Sequence, residues 1–187
     1  MGSFKSSNPT TREVGSNGGV VVWDDLRAPA SGLNPSGTIS PPAVNTADGS
    51  LTFDTTEAVA AWFQLPHGYK IGSDLHIHIH WSKTTSAAGT VNWQVKYKTG
   101  NIGEVMGAFS SLESLTESVG NGNTANLQAL SSHSTVDGSA LTLSSMICVY
   151  LIRTASGDTY GADVNLYEID IHYQADTIGS LSLLTKE

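Results

Sequence analysis

The segment that most constrains the fold is the octet Asp74–Trp81, which has the sequence Asp-Leu-His-Ile-His-Ile-His-Trp. In an extended strand, successive side chains point to opposite faces of the sheet. The octet therefore separates an apolar face from a row of imidazoles: Leu75, Ile77, Ile79 and Trp81 against His76, His78 and His80. A helical period would mix these two sets. The pattern predicts a strand whose apolar face covers a core and whose histidines face a different environment.

Other segments carry strand patterns as well. Thr90–Tyr97 alternates with Val91, Trp93, Val95 and Tyr97 on one face. Its apolar face matches that of the octet, so the two are predicted to form an antiparallel hairpin that places Asn92, Gln94 and Lys96 beside the histidines. Met146–Ile152 is continuously apolar, which is typical of a strand covered on both faces.

The last predicted strand, Val164–Tyr173, combines an apolar and an ionisable face. Tyr167, Ile169, Ile171 and Tyr173 form the first face, and Glu168, Asp170 and His172 form the second. With about eight strands, no long helix and no repeat, the chain is predicted to be an all-β, antiparallel two-sheet sandwich of jelly-roll type over residues 20–175.

Three segments are predicted to extend this domain. Residues 1–19 are rich in Ser, Thr, Asn and Gly and are expected to form an N-terminal arm that packs on a partner chain. Residues 24–45 contain four of the six prolines and are expected to form an irregular, extended strap on the surface. Residues 176–187 form a C-terminal tail.

Composition excludes several classes of function. The 187 residues include 9 Lys and Arg against 17 Asp and Glu, a formal net charge of −8. Nucleic-acid binding requires a basic surface that neutralises phosphates, so no nucleic-acid partner is expected. No apolar signal sequence begins the chain and no run approaches the ~20 apolar residues of a membrane helix. We therefore expect neither secretion nor a membrane span.

The histidine row has two interpretations. Three imidazoles at alternate positions are a candidate metal-binding set, His76, His78 and His80. Neighbours on one strand face are ~7 Å apart at their roots, however, so three of them seldom close on one ion unaided. A hydrogen-bonded polar face or a subunit contact is the simpler interpretation, unless one histidine from each chain meets its copies on a threefold axis.

Other candidate sites carry weaker chemical signals. Glu168, Asp170 and His172 resemble an acid–base set but equally suit cross-strand pairing. Asp158 and Asp163 suit a turn better than a calcium loop, and Cys148 lies among apolar residues, where it is expected to be a buried small hydrophobe. No nucleophile motif or phosphate-binding loop is present, so neither an enzyme nor a cofactor is expected.

Several motifs resemble a family of tailed-bacteriophage virion proteins. They are Val22–Pro35, Gln64–His67 followed by Asp74–Trp81, and Asp170–Tyr173 followed by Asp176–Ser180. The resemblance runs from about residue 20 to the C-terminus and leaves residues 1–19 and much of 99–138 unmatched. It implies a structural virion component without enzymatic activity.

The resulting functional prediction is a homotrimeric capsid decoration (cement) protein, made in the host cytoplasm and bound to the major capsid protein or to other virion proteins. The predicted subunit or capsid contacts are the histidine row together with Trp23, Arg27, Pro29 and Pro35. One alternative is a tail or fibre component that binds a host-surface glycan through Trp23 or Trp62, because flat aromatic rings stack on sugars. A second alternative is a cupin-like metal-binding protein, although the other cupin motif is missing.

Overall fold

A computed structural model describes residues 21–35, 40–115, 117–118, 124–183 and 185. The described chain forms fourteen strands: β1 (Val22–Pro29), β2 (Asn34–Pro35), β3 (Ala43–Val44), β4 (Leu51–Phe53), β5 (Ala58–Gln64), β6 (Leu75–Lys83), β7 (Thr90–Val91), β8 (Trp93–Gly100), β9 (Glu113–Ser114), β10 (Glu117–Ser118), β11 (Ala129–Leu130), β12 (Ser134–Val136), β13 (Met146–Arg153) and β14 (Val164–Ala175). The helical structure in these residues is a single 3-10 turn, Ala30–Gly32. None of the described segments forms a helix with the length and hydropathy of a membrane span.

The strands form two main antiparallel sheets, as the sequence predicts. In the larger sheet, β14 lies between β6 on one side and β1 and β4 on the other. The strands β11 and β12 pair with the far edge of β6, and β3 pairs with β4. The smaller sheet has the order β2-β5-β13-β8-β9, and β7 pairs separately with β10. The all-β sandwich prediction is confirmed.

The core lies between the two sheets and is built from the predicted apolar faces. The side chains Leu75, Ile77, Ile79 and Trp81 are at most 1% exposed. Trp81 of β6 meets Trp93 of β8 edge-on, with ring centroids 6.3 Å apart. Cys148 is buried, as expected, and burial raises the pKa of its thiol. These contacts fix the outward direction of the alternate β6 residues, including the histidines.

The predicted hairpin between Asp74–Trp81 and Thr90–Tyr97 is wrong. β6 belongs to the larger sheet and β8 to the smaller one, so the two strands face each other across the core. Matching apolar faces suit facing strands as well as paired strands, and here the loop between them crosses from one sheet to the other. The histidines consequently lie beside β14 and not beside Asn92, Gln94 and Lys96.

The last strand contains a β-bulge, and the predicted inward direction of Tyr167 is therefore wrong. The register between β14 and β6 shifts between Leu166 and Glu168. The extra residue, Tyr167, therefore turns away from the core, and its hydroxyl lies 2.7 Å from Ser82 Oγ on the histidine face. Ile169, Ile171 and Tyr173 keep their predicted inward direction.

The predicted strap is partly a regular strand. Val22–Pro29 pairs with β14 along its whole length, and Pro29 ends the strand. Proline at the end of an edge strand removes no ladder hydrogen bond from a neighbour. Asn34–Pro35 forms a short pair with β5. The N-terminal arm, residues 1–19, lies outside the described residues, as do residues 36–39 of the strap.

Candidate functional site

Five histidines form one group on the outer face of the larger sheet, which we call the imidazole cluster: His76, His78, His80, His133 and His172. The ring of His78 lies at its centre, 4.2 Å from His172, 5.3 Å from His80 and 5.7 Å from His133 between centroids. The chain has six histidines. All but His67 are therefore brought to one place.

Strand register explains how the cluster forms. The ionisable face of β14 lies against the histidine face of β6, with Asp170 opposite His78 and His172 opposite His76. On its other side, β14 pairs with β1, which places Asp25 opposite His172. Directly opposed residues in an antiparallel pair share a face. Two carboxylates thus join the imidazoles.

His133 reaches the cluster from the connection between β11 and β12. Its neighbour Ser131 fixes this connection on β6, because the Ser131 hydroxyl accepts a hydrogen bond from Ile79 N at 3.0 Å. The backbone N–H of Ser131 in turn donates to Ile79 O at 3.1 Å. Ser131 is buried while His133 is exposed. The result is a solvent-facing imidazole on an anchored loop.

Three of the imidazoles have hydrogen-bonding partners at the edge of the cluster. Gln128 Nε2 lies 2.7 Å from His80 Nδ1, and Thr135 Oγ1 lies 3.3 Å from His76 Nδ1. His172 Nε2 lies 3.2 Å from Asp25 Oδ1. These contacts hold the ring planes of the outer histidines.

His78 differs from the others because it is only 1% exposed. Its Nε2 lies 3.5 Å from Asp170 Oδ2, while its Nδ1 is buried without a hydrogen-bond partner. Asp170 is 3% exposed, and its Oδ1 is likewise buried without a partner. A buried polar atom with no partner costs about 1–3 kcal/mol. The centre of the cluster therefore holds two groups whose bonding capacity is unused.

The surroundings lower the pKa of two groups in the cluster, His133 and Asp170. Burial, followed by the charges of His78, His76 and His172, lowers the pKa of His133. Burial alone would raise the pKa of Asp170, but the hydrogen bond and charge of His78 and the charges of His172 and His80 lower it overall. Neutral imidazoles next to carboxylates are the donor set that binds divalent transition metals.

Three overlapping triads of donor atoms converge in the described residues, each within 4.8 Å: His78, His133 and His172; His78, His80 and Asp170; and Asp25, Asp170 and His172. The sequence pattern identified the row on β6 and the face of β14 separately. It missed Asp25, which falls in the predicted strap, and His133. No sequence signal places His133 here, because it lies in a Ser-rich stretch without periodicity.

The predicted contact residues of β1 border the cluster. Trp23 is 54% exposed, and its ring lies 5.4 Å from that of His76. It lines a surface groove of about 420 Å³ together with Lys70, Ile71, Gly72, Ser73, Asp74, His76 and Gln174. Arg27 forms a two-pronged ion pair with Glu168, at 2.6 and 2.9 Å.

The other candidate residues lie away from the cluster. Trp62 is 49% exposed on the outer face of the smaller sheet, where Lys98 Nζ lies 5.5 Å from its ring centroid. Asp158 binds the buried guanidinium of Arg153 through both carboxylate oxygens, at 2.8 and 3.0 Å. Asp158 is thus engaged in a structural ion pair and is not a free calcium ligand.

Comparison with protein-family models gives no match, and comparison with curated protein sequences gives none. Solved structures with similar folds include dimeric latent PorU from Porphyromonas gingivalis (TM-score 0.37, 16% identity, 82% of this chain and 13% of that chain). They also include the CBM36-1 domain of a multidomain xylanase from the hindgut metagenome of Trinervitermes trinervoides. Its TM-score is 0.43 and its identity 11%, and the match covers 79% of this chain and 96% of that chain. A third is the structure of infectious bursal disease virus, Gx strain. Its TM-score is 0.36 and its identity 14%, and the match covers 85% of this chain and 34% of that chain. All three have TM-scores below 0.5 and identities below 25%, so they do not indicate what this chain binds.

Proposed function

We propose that this protein is a non-catalytic structural component of a bacteriophage virion, a homotrimeric decoration protein that attaches to the head. The observation that carries the self-assembly part of this proposal is an apolar tail beyond β14. Ile178, Leu181 and Leu183 are 111%, 96% and 84% exposed. Three large apolar side chains so fully exposed within six positions are typical of a segment that another surface covers.

The same chain has an apolar cleft that suits such a segment. The cleft has a volume of about 310 Å³ and lies where the strap crosses β4 and β5; it is lined by Ala30, Ser31, Leu33, Pro42, Val44, Gly49, Leu51 and Val59. A leucine or isoleucine side chain buried there would gain about 1.5–3 kcal/mol. We therefore assign the tail of one copy to the cleft of the next.

The tail is too far from its own cleft to fill it. Leu51 of the cleft pairs with Leu166, near the start of β14, whereas the tail leaves at Ala175. At about 3.3 Å per residue, that stretch of strand spans about 30 Å. Ser180 Oγ is held 2.5 Å from His67 Nδ1, which anchors the tail at the distant end. The occupant of the cleft is accordingly a second copy.

A tail-in-cleft contact is heterologous, because the two surfaces differ. Heterologous contacts that close generate rings, and a trimer is such a ring. Each subunit of a ring adds its own attachment to the capsid, so multivalency strengthens binding without one tight site. This geometry supports the decoration role that the motifs of the sequence suggest.

Light scattering after size-exclusion chromatography tests the assembly. The unaltered chain is expected to be a trimer, and Leu181→Asp or Val44→Asp is expected to give monomers. Val105→Asp is the matched control, since Val105 is 93% exposed but belongs to neither surface. A trimer that survives both variants would exclude the tail-in-cleft contact.

Attachment to the head needs a separate test. Purified trimer is mixed with capsid shells that lack it and sedimented, and it is expected to pellet with the shells at saturating stoichiometry. Leu181→Asp is expected to weaken this binding at least tenfold, because monomers lose multivalency. A trimer that does not pellet with the shells would refute the decoration role while leaving the assembly proposal intact.

A second candidate function, glycan binding by a tail or fibre component, is favoured by the Trp23 groove. An exposed indole lies there beside polar side chains that can bond sugar hydroxyls, including Lys70, Asp74 and Gln174. An aromatic platform with a few convergent polar groups is the usual composition of a small-molecule site.

A glycan array decides between the two functions. If the groove binds sugar, Trp23→Ala abolishes the signal and Trp62→Ala retains it. The control is matched, because the two indoles are 54% and 49% exposed. Loss of signal with Trp62→Ala alone, or no signal from the unaltered chain, would refute a sugar site at Trp23.

A further inference from the structure

The geometry of the imidazole cluster points to a metal site: we propose that His78, His133 and His172 bind one divalent transition-metal ion, with Zn²⁺ as the best match. The three rings come from β6, β14 and the loop between β11 and β12. This site is independent of the assembly and attachment proposed above. It goes beyond the row on β6, because two of its three ligands lie outside that strand.

The distances suit one ion after a small movement. The three donor nitrogens lie within 4.8 Å of one another. Nitrogens bound to one tetrahedral Zn²⁺ at about 2.0–2.1 Å are ~3.4 Å apart. The nitrogens therefore have at most ~1.4 Å to close, and His133, exposed on a short loop, is the ligand with the most freedom to move.

The unused bonding capacity identifies the central ligand. His78 Nδ1 is buried and has no hydrogen-bond partner, although its Nε2 faces Asp170. A ligating imidazole normally has its second nitrogen bonded to a carboxylate, which fixes the ring and increases its basicity. His78 with Asp170 and His172 with Asp25 both have this arrangement. A bound ion would satisfy the nitrogen that is left without a partner.

The other two histidines are better explained as supports. His80 meets Gln128 through one ring nitrogen and faces Asp170 through the other. His76 meets Thr135 through Nδ1 and lies against the Trp23 ring. Both nitrogens of His80 and Nδ1 of His76 already have partners, which favours the triad with His133 over the one with His80.

The donor set indicates the class of metal. Three neutral imidazoles suit Zn²⁺, Cu²⁺, Ni²⁺ or Co²⁺, whereas Ca²⁺ and Mg²⁺ prefer oxygen ligands. Zn²⁺ with three protein ligands keeps a fourth position for water. The site opens toward solvent on the His133 side, so this position is accessible.

The experiment uses full-length protein purified without a polyhistidine tag and stripped with a chelator. Isothermal titration with Zn²⁺ is expected to give one ion per chain, and Zn²⁺ is expected to raise the melting temperature. His133→Ala and His172→Ala are each expected to weaken binding at least tenfold and to remove this thermal shift. His67→Ala is the matched control, because His67 lies outside the imidazole cluster, and it should bind as the unaltered chain does.

Two results would overturn the proposal. One is the absence of saturable Zn²⁺ binding by the unaltered chain. The other is retention of binding in His133→Ala together with its loss in His80→Ala, which would assign the ion to His78, His80 and Asp170. Substitution with Co²⁺ adds a spectroscopic measurement, since three imidazoles and a water in tetrahedral geometry give strong visible bands that His133→Ala should remove.

Discussion

Arg153 and Asp158 show how much a single buried ion pair can determine. Both side chains are at most 2% exposed, and they are joined by two hydrogen bonds. The guanidinium also donates to the carbonyls of Phe53, Tyr160 and Ala162, so it links β4 to the loop that follows β13. Because the guanidinium is buried, its positive charge needs the Asp158 carboxylate as a counter-ion.

We predict that Asp158→Asn destabilises the fold by about 3–5 kcal/mol, because it leaves a buried charge without a counter-ion. Urea unfolding measures this loss. Glu168→Gln is the matched control: it removes the partner of Arg27, whose side chain is 67% exposed, and is expected to have a much smaller effect. Equal decreases in the free energy of unfolding of the two variants would mean that burial does not determine how much an ion pair contributes to stability.

Tyr173 provides a prediction for alkaline pH. Burial, with the hydrogen bond to Asp24 and the charges of Asp24 and Asp25, raises the pKa of Tyr173 to about 12. In the unfolded chain the pKa of tyrosine is about 10. The unfolded state therefore loses its proton first, and stability decreases as the pH rises between these two values.

The Tyr173→Phe variant tests this effect. Between about pH 9.5 and pH 11.5, the free energy of unfolding of the unaltered chain should decrease by about 2 kcal/mol more than that of the variant. Denaturant titrations at both values measure the difference, and the comparison cancels the contributions of the other tyrosines. Parallel pH profiles would show that Tyr173 ionises normally in the fold.

The histidines show what residue patterns can and cannot predict. Alternation along β6 predicted which side chains leave the core, because that follows from the period of a strand alone. It could not predict that His133 and Asp25 would join His78, because neither lies in a periodic segment. Their positions depend on strand register and on a loop anchored through Ser131.

At the scale of elements, the strand patterns were informative about faces and not about partners. Trp93 and Val95 of β8 are buried as predicted, yet β8 pairs with β13 and not with β6. An apolar face predicts that another apolar surface covers it, but it does not identify the strand that pairs with it. The bulge at Tyr167 shifts the alternation from Val164 and Leu166 to Ile169 and Ile171, a change of phase that a single period along the strand misses.

Gly138 supplies a prediction about how elements pack, because it lies where the chain leaves β12 and crosses the start of β6. A Cβ at this position would lie 1.7 Å from Ser73 O and 2.6 Å from the Tyr69 hydroxyl. The nearest atom, Ser73 O, belongs to the backbone and cannot move without distorting the chain. Gly138→Ala should therefore lower the free energy of unfolding by about 1–3 kcal/mol or more. Thermal unfolding measures the loss. Gly161→Ala is the matched control, since a Cβ there has no heavy atom within 4 Å, and a shift as large in the control would exclude the steric explanation.

At the scale of the whole molecule, the proposed assembly contact joins the tail of one copy to the cleft of another. Composition suggested a chain covered by other chains, but only the fold separates the two surfaces along β14. A heterologous contact has a testable consequence that a symmetrical one lacks. A subunit with a defective tail still offers a cleft, and a subunit with a defective cleft still offers a tail.

We therefore predict that an equimolar mixture of Leu181→Asp and Val44→Asp forms heterodimers, although each variant alone is monomeric. One intact tail meets one intact cleft, and the ring cannot close because the remaining two surfaces are damaged. Sedimentation velocity with Leu181→Asp fluorescently labelled measures the complex. Unlabelled Leu181→Asp in place of Val44→Asp is the control, since neither copy then has an intact tail. A mixture that stays monomeric would mean that the tail binds some surface other than this cleft.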